Sequence, residues 1–278
     1  MNSKLIAVIV AAVVIIASVA GYLAYQSSHP LPEPIELRIF IASSLIHVVE
    51  NMTSDFEKEN NCKLIINSDA SSALYTQITQ GSPCDVFISA DQKWTKNLIT
   101  TSPGLLSNNY MNFTTNSLEV IIAPDNPANI STLADLAKPG VKLVLASPAV
   151  PAGSYANTSI SKIQDKWGTT DTAYANYNTS VYLNVVSYEN SVEGVVGKVS
   201  LNVGTADAGI VFYSDAVWGN MTNADVRFLS IPPNVNTKGT YGIGVIGTTI
   251  HADLAQKFMH YWSSSQGQAL LTQFGFNS

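Results

Sequence analysis

The chain has 278 residues, of which 46% are hydrophobic and 12% charged, with a formal net charge of -6. That length and apolar content suffice for two packed domains. The acidic balance and the lack of any Lys/Arg stripe exclude a long-range positive field for nucleic acid, so an anion would have to be held by local dipoles.

After MNSK, residues 5–25 are apolar apart from Ser18. A run of about twenty such residues is long enough to cross a bilayer as a helix. Ser18-Val19-Ala20 resembles a cleavage site, so residues 1–25 read either as a membrane anchor or as a cleaved signal. Both readings place the remainder outside the cytoplasm. Residues 26–35, QSSHPLPEPI, read as a linker, because Pro30, Pro32 and Pro34 oppose helix and stiffen the chain.

From residue 36 strands alternate with helices. ELRIFIA (36–42) is a strand, followed by a helix with Leu45, Val48, Val49, Met52 and Phe56 on one face. KLIIN (63–67) is a strand, and Ser71 begins a helix carrying Leu74 and Ile78. DVFIS (85–89) and a helix through Trp94 and Leu98 follow. This order implies a parallel sheet with right-handed crossovers. A second unit opens at LEVIIAP (118–124) and a helix capped by Ser131. It continues with KLVLAS (142–147), a helix over 152–167, VYLNVV (181–186) as a strand, a helix from Ser191, and AGIVFY (208–213) as a strand. Strands near 226–231 and 241–247 and helical segments over 253–274 complete the chain. Cys62 and Cys84 each begin a predicted strand. A disulfide and two free buried thiols are both compatible with that placement. If the two strands flank a central one, the cysteines lie about 10 Å apart, too far to bridge.

Open α/β sheets bind ligands beyond the carboxyl ends of their strands. Four places there precede helices: Ser43-Ser44, Ser71-Ser72, Pro151-Ala152-Gly153 and Ser191-Val192. Helix N-termini offer unpaired N–H groups and the positive end of the dipole. Taken singly, each serine reads more simply as a helix cap. Taken together, the four can converge on one anion. Neutral donors suit a fully ionised dianion, and each charge-assisted hydrogen bond contributes about 1.5–3 kcal/mol. A protonated anion would need an acceptor as well.

At these residues the chain resembles the molybdate-binding protein of molybdate ABC transporters. The resemblance spans residues 36–278 and rests on IASSL (41–45), DASSALYTQITQGSPCDVFISADQKW (69–94), SPAVPAGSYA (147–156), ADAGIVFYSDA (206–216) and the closing GFN. It implies a two-lobed type II periplasmic-binding-protein fold, each lobe a mainly parallel sheet flanked by helices, with lobe 1 over 36–116 and 216–278 and lobe 2 over 117–215. It implies a monomer that carries molybdate or tungstate, without a cofactor, to an ABC-transporter permease outside the cytoplasm. The family binds its oxyanion with two serines, two backbone amides and a tyrosine hydroxyl. On this chain Ser44 and Ser71 match the serines, and Ala152 and Val192 the amides. The tyrosine position falls on Phe212, which has no hydroxyl. The neighbouring Tyr213 should point to the opposite face of a strand. Asp69, two residues before Ser71, would repel a dianion unless it turns away. About two extra residues separate Val192 from Gly209 relative to the family pattern.

An enzyme of unknown chemistry is the main rival. His29, His47, His251 and His260 are scattered without ligand spacing. His47 reads as a surface or satisfied core residue. Glu189 and Glu193 flank Val192 in sequence and read as solvated helix-face residues rather than metal ligands. No nucleophile elbow or phosphate loop is present.

Overall fold

The computed structural model describes residues 14–21, 33–101, 104–200, 205–222 and 225–277. The expected anchor over 1–25 and linker over 26–35 lie largely outside these. Residues 14–21 are helical, with Val14, Ile15, Ile16 and Val19 exposed. Among the described residues no helix is long and apolar enough to cross a membrane.

The body begins with β1 (Ile35–Ala42), whose burial tightens toward its carboxyl end. A 3-10 turn, Ser43–Leu45, leads into α1 (Ile46–Asn60), which buries Val48, Val49, Met52 and Phe56 as the helical period requires. Asn61, in the left-handed region at φ 46°, ends α1. Then come β2 (Cys62–Asp69), α2 (Ser71–Thr79), β3 (Val86–Ser89), α3 (Gln92–Thr100) and β4 (Leu105–Asn116). The chain crosses to the second half at β5 (Leu118–Ile122), every residue of which is buried. After a 3-10 turn at Leu133–Ala137 follow β6 (Leu143–Ala146), α4 (Pro151–Trp167), α5 (Tyr177–Leu183), β7 (Val185–Glu189), α6 (Val192–Ser200), β8 (Ala208–Phe212), α7 (Tyr213–Met221) and β9 (Arg227–Ser230). The first half is completed by β10 (Gly239–Ile246), α8 (Ala252–Tyr261) and α9 (Ser265–Gln273).

Two five-stranded sheets result, ordered β2-β1-β3-β10-β4 and β7-β6-β8-β5-β9. Both are mixed. In the first, β1 and β3 are parallel and β10 runs antiparallel between β3 and β4. In the second, β6 is parallel to β7 and β8, and β5 runs antiparallel between β8 and β9. Each sheet thus carries one reversed strand, which refines the expectation of mainly parallel sheets. The C-terminal tail seals the first half. Phe276 packs edge-on against Tyr241 at 5.4 Å, and the Asn277 amide donates to the Thr115 carbonyl at 2.8 Å.

Several local expectations are corrected. VYLNVV is not one strand: residues to Leu183 finish α5, and the strand starts at Val185. Tyr177 and Val181, four apart, are the buried residues of that helix, a spacing that a short apolar run disguises. β4 was not foreseen, because its polar LLSNNYMNFTTN lacks a strand-like apolar alternation. Ser131 caps no α-helix. Thr132 and Asp135 form a reciprocal capping box on a 3-10 turn, and Ser131 donates to Asp135. Strand 208–213 ends at Phe212, and Tyr213 opens α7. Segment 216–278, expected whole in lobe 1, divides, since β9 pairs with β5 in the second sheet. Cys62 and Cys84 are free and buried, so no disulfide forms. β1 lies between their strands, which puts them two strand spacings apart, roughly 10 Å, beyond disulfide reach.

Candidate functional site

The carboxyl ends of β1, β2, β3, β6, β7 and β8 meet at one small cavity between the two sheets, enclosing about 270 Å³. Its lining includes Ser44, Ser71, Ala152 and Val192, the four residues singled out in the sequence, together with Phe212. Tyr213 does not line it. Its ring packs edge-on against Phe228 at 6.4 Å and borders a separate hollow with Ser117 and Lys238. Tyr213 opens α7 and borders that other hollow, so it is the start of a helix rather than strand alternation that sets its place.

The helix ends at the cavity decide between capping serines and open donors. The 3-10 turn before α1 has Ala42 as N-cap, α2 has Ala70, and α4 has Val150, and none of the three supplies a side-chain cap. Ser44 and Ser71 sit inside the first turns. Neither hydroxyl caps its helix, and the first-turn residues, whose amides have no intrahelical partner, line the cavity. Pro151 at the first position of α4 has no N–H to satisfy, which leaves the amides of Ala152 and Gly153 as the first donors. At α6 the capping reading does hold: Ser191 Oγ accepts from the Gly194 amide at 3.3 Å. There the remaining contribution is the backbone at Val192.

Gly153 allows α4 to sit directly on the end of β6. A Cβ at this position would lie 2.3 Å from the Ala146 carbonyl oxygen and 2.2 Å from that of Ser147. Only a glycine permits that approach, and it brings the Ala152 amide to the cavity.

The two serine hydroxyls are wired differently. Ser71 Oγ accepts a hydrogen bond from the Ala90 amide at 3.1 Å, which keeps its own proton for another acceptor. Ser44 Oγ lies 2.8 Å from the Tyr241 hydroxyl. Asn116 Nδ2 donates to Tyr241 at 3.3 Å and to Ser214 Oγ at 2.8 Å. Tyr241 and Asn116 are fully buried, and neither stood out in the sequence. Asn116 ends a polar stretch of β4, and Tyr241 lies in a glycine-rich strand that reads as core.

No Lys or Arg lines the cavity, and one carboxylate, Asp69, does. Its Oδ1 accepts from the Ala70 amide at 2.7 Å and so is turned back on its own chain. Further out, the Asp215 carboxyl is pushed well above the usual range by burial, with the Glu193 charge adding to the effect, and its Oδ2 has no hydrogen-bond partner. Burial, then the nearby Asp215, also holds the Tyr241 phenol in its protonated form far above the usual range. His47 stacks on Trp218 with ring centroids 3.7 Å apart. Burial lowers its pKa against the opposing pull of Glu50. Glu189 pairs with Lys198 at 2.6 Å, and among the described residues no acidic, His or Cys cluster is arranged to hold a metal ion. The chemistry on offer is therefore hydrogen-bond donation from neutral groups.

The family described as bacterial extracellular solute-binding protein matches residues 37–277. The molybdate-binding protein ModA of Mycobacterium tuberculosis is 33% identical over 267 residues, 93% of each chain. Among solved structures, the periplasmic molybdate-binding protein of Azotobacter vinelandii superposes with a TM-score of 0.70 at 21% identity, covering 86% of this chain and 98% of that one. The sulfate-binding protein SubI of Mycobacterium tuberculosis gives 0.73 at 17% identity, covering 87% and 86%. At those two identities the structural likeness establishes the fold.

Proposed function

The chain belongs to the bacterial extracellular solute-binding protein family, and from that premise we propose that its solute is a fully deprotonated tetrahedral oxyanion, molybdate or tungstate. The observation that carries this reading is the convergence of three helix starts without side-chain caps, from both sheets, on one cavity without Lys or Arg. Ser44 and Ser71 would donate through their hydroxyls, and Ala152 and Val192 through their amides. Helix dipoles and neutral donors offset the charge of a dianion without a countercharge. At about 1.5–3 kcal/mol for each bond to a charged group, these four donors contribute about 6–12 kcal/mol, and further first-turn amides would add to it. The curated relative's name favours molybdate over sulfate.

In this reading the loaded protein hands its anion to an ABC-transporter permease, and the apolar N-terminal segment holds it at the outer face of the membrane. Mass spectrometry of membrane and soluble fractions tests the tether. A mature chain beginning near Gly21 and free in the soluble fraction would refute it while leaving export intact.

Calorimetry of the full-length chain against molybdate, tungstate, sulfate and phosphate tests the ligand. Stoichiometric heat with molybdate or tungstate, and much weaker binding of sulfate, is expected. Absence of heat and of any thermal shift with both metal oxyanions would sink the proposal.

A further inference from the structure

The hydroxyl of Ser44 is the end of a buried chain of hydrogen bonds, and the chain has a direction. Asn116 Nδ2 can only donate. It gives one proton to Ser214 Oγ at 2.8 Å and the other to the Tyr241 oxygen at 3.3 Å. The orientation of this amide is pinned from its other side, because Asn116 Oδ1 accepts from the Ser214 amide at 3.4 Å. Tyr241 therefore already serves as an acceptor. It carries a single proton of its own, and Ser44 Oγ stands 2.8 Å away. In the opposite arrangement, with Ser44 donating, the Tyr241 oxygen would accept twice and its proton would be buried without a partner. A buried donor left without an acceptor is destabilising. Donation from Tyr241 to Ser44 gives the phenol proton and both Asn116 amide protons an acceptor. The Ser44 proton then has no acceptor within the chain, and Ser44 lines the cavity.

We propose that Tyr241, held by Asn116, is a positioning residue that fixes Ser44 as a donor toward the cavity and so biases the site against protonated oxyanions. The inference rests on the anion-binding reading above. A freely rotating serine hydroxyl accepts as readily as it donates, and would accept the O–H of hydrogen phosphate. A serine with one lone pair engaged by a phenol and no other acceptor for its proton within the chain is biased toward donation, which suits an anion bearing only acceptors. Phe212 makes this wiring more consequential. It has no hydroxyl, and of the two phenols packed against its ring, Tyr155 at 6.2 Å and Tyr241 at 5.8 Å, Tyr241 is the nearer. The tyrosine nearest to that position thus acts on the anion through Ser44. The chain also joins elements of both halves: the turn after β1, strand β10, the end of β4 and the start of α7.

The test is a double-mutant cycle on the full-length chain, titrated at pH 7 with molybdate, tungstate, sulfate and phosphate. Tyr241→Phe keeps the ring and removes the phenol. It should weaken molybdate binding by about tenfold, the worth of one hydrogen bond, and weaken phosphate less, so that the ratio of the two affinities falls. In the Ser44→Ala background the same substitution should cost nothing further, because its effect runs through Ser44. A loss of equal size in both backgrounds, or an unchanged molybdate-to-phosphate ratio, overturns the relay. If Tyr241→Phe fails to fold, Asn116→Asp supplies the second arm. A carboxylate accepts from Tyr241 and forces Ser44 to donate inward, turning its oxygen to the cavity. This arm is titrated at about pH 8.5, where phosphate too is mainly a dianion and the added charge repels both alike, so the ratio is again the readout, and it should shift toward phosphate. Failure of the wild-type chain to bind any of the four anions would overturn the functional reading together with the relay. Wild-type binding without coupling between Tyr241 and Ser44 would overturn the relay alone.

Discussion

The Ala90 amide donates to Ser71 Oγ at 3.1 Å, so the serine that opens α2 is fastened by its oxygen to the end of β3 and has its proton to spare. A capping serine would instead accept from an amide two or three residues ahead in its own helix. Removing it should therefore be felt in ligand affinity more than in the helix. Ser71→Ala and Ser44→Ala are each expected to weaken oxyanion binding by about 1.5–3 kcal/mol, with only a small fall in Tm for Ser71→Ala from the amide left unpaired at Ala90. Isothermal titration and thermal melts of the two variants check this. A collapse of the fold with unchanged affinity per folded molecule would contradict it.

Gly153 is the second place where a single residue sets the site. A methyl group there overlaps the carbonyl oxygens of Ala146 and Ser147, both backbone atoms that cannot rotate away. Gly153→Ala should push α4 off the end of β6, at a cost of about 1–3 kcal/mol in stability, and carry the Ala152 amide out of reach of the anion. Denaturant unfolding and anion titration should both respond. A variant with wild-type affinity would show that the Ala152 amide does not contribute.

Phe212 is 2% exposed, lines the cavity, and is held edge-on between Tyr155 and Tyr241 at 6.2 and 5.8 Å. Phe212→Tyr is expected to tighten binding, by up to about 1.5–3 kcal/mol if the hydroxyl reaches a free oxygen of the anion. Unchanged or weaker affinity with a lower Tm would mean instead that the hydroxyl is buried without a partner. Titration and melting of the one variant separate these outcomes.

Asp135 and Asp215 make opposite predictions for pH. Burial alone would raise the Asp135 carboxyl, but Lys138 at 2.6 Å and the amides of Ser131 and Thr132 outweigh it and hold the group below the usual carboxylate range. An acid depressed in the folded state stabilises above its unfolded pKa of about 3.9, and that stability is lost as pH falls toward the folded value. Asp135→Asn should therefore melt lower than wild type at pH 7, with the gap closing as the pH is taken to about 2. Asp215 is raised by burial and by Glu193. Its contribution is present at low pH and lost as pH rises through the elevated folded value. Asp215→Asn should match wild type near pH 4 and melt higher at alkaline pH, because an amide replaces a buried carboxylate that must otherwise ionise without a countercharge. Melting curves over the two ranges decide both. A pH-independent offset in either variant would show that packing, not ionisation, is responsible.

Much of the site was legible in the chain itself. Val48, Val49, Met52 and Phe56 fall on one face at helical spacing, and all four are buried in α1. The small and hydroxyl residues directly after strands, at Ser44, Ser71 and Ala152, end at one cavity, because β-α connections in such sheets bring successive helix starts to the same edge. Local periodicity failed where the local signal was short or polar, as at VYLNVV and in β4. It carried no information about partners distant in sequence. Ser44 meets Tyr241 across 197 residues, and Asn116 meets Tyr241 across 125. Which serine is held by a distant amide, and which phenol stands behind Ser44, follow from hydrogen bonds made only when distant strands of the first sheet, β1, β3, β4 and β10, come together. The residue types offered at the cleft were written in the order of amino acids, whereas the direction in which their protons point was decided by tertiary contact, since a hydroxyl is donor or acceptor according to its neighbours.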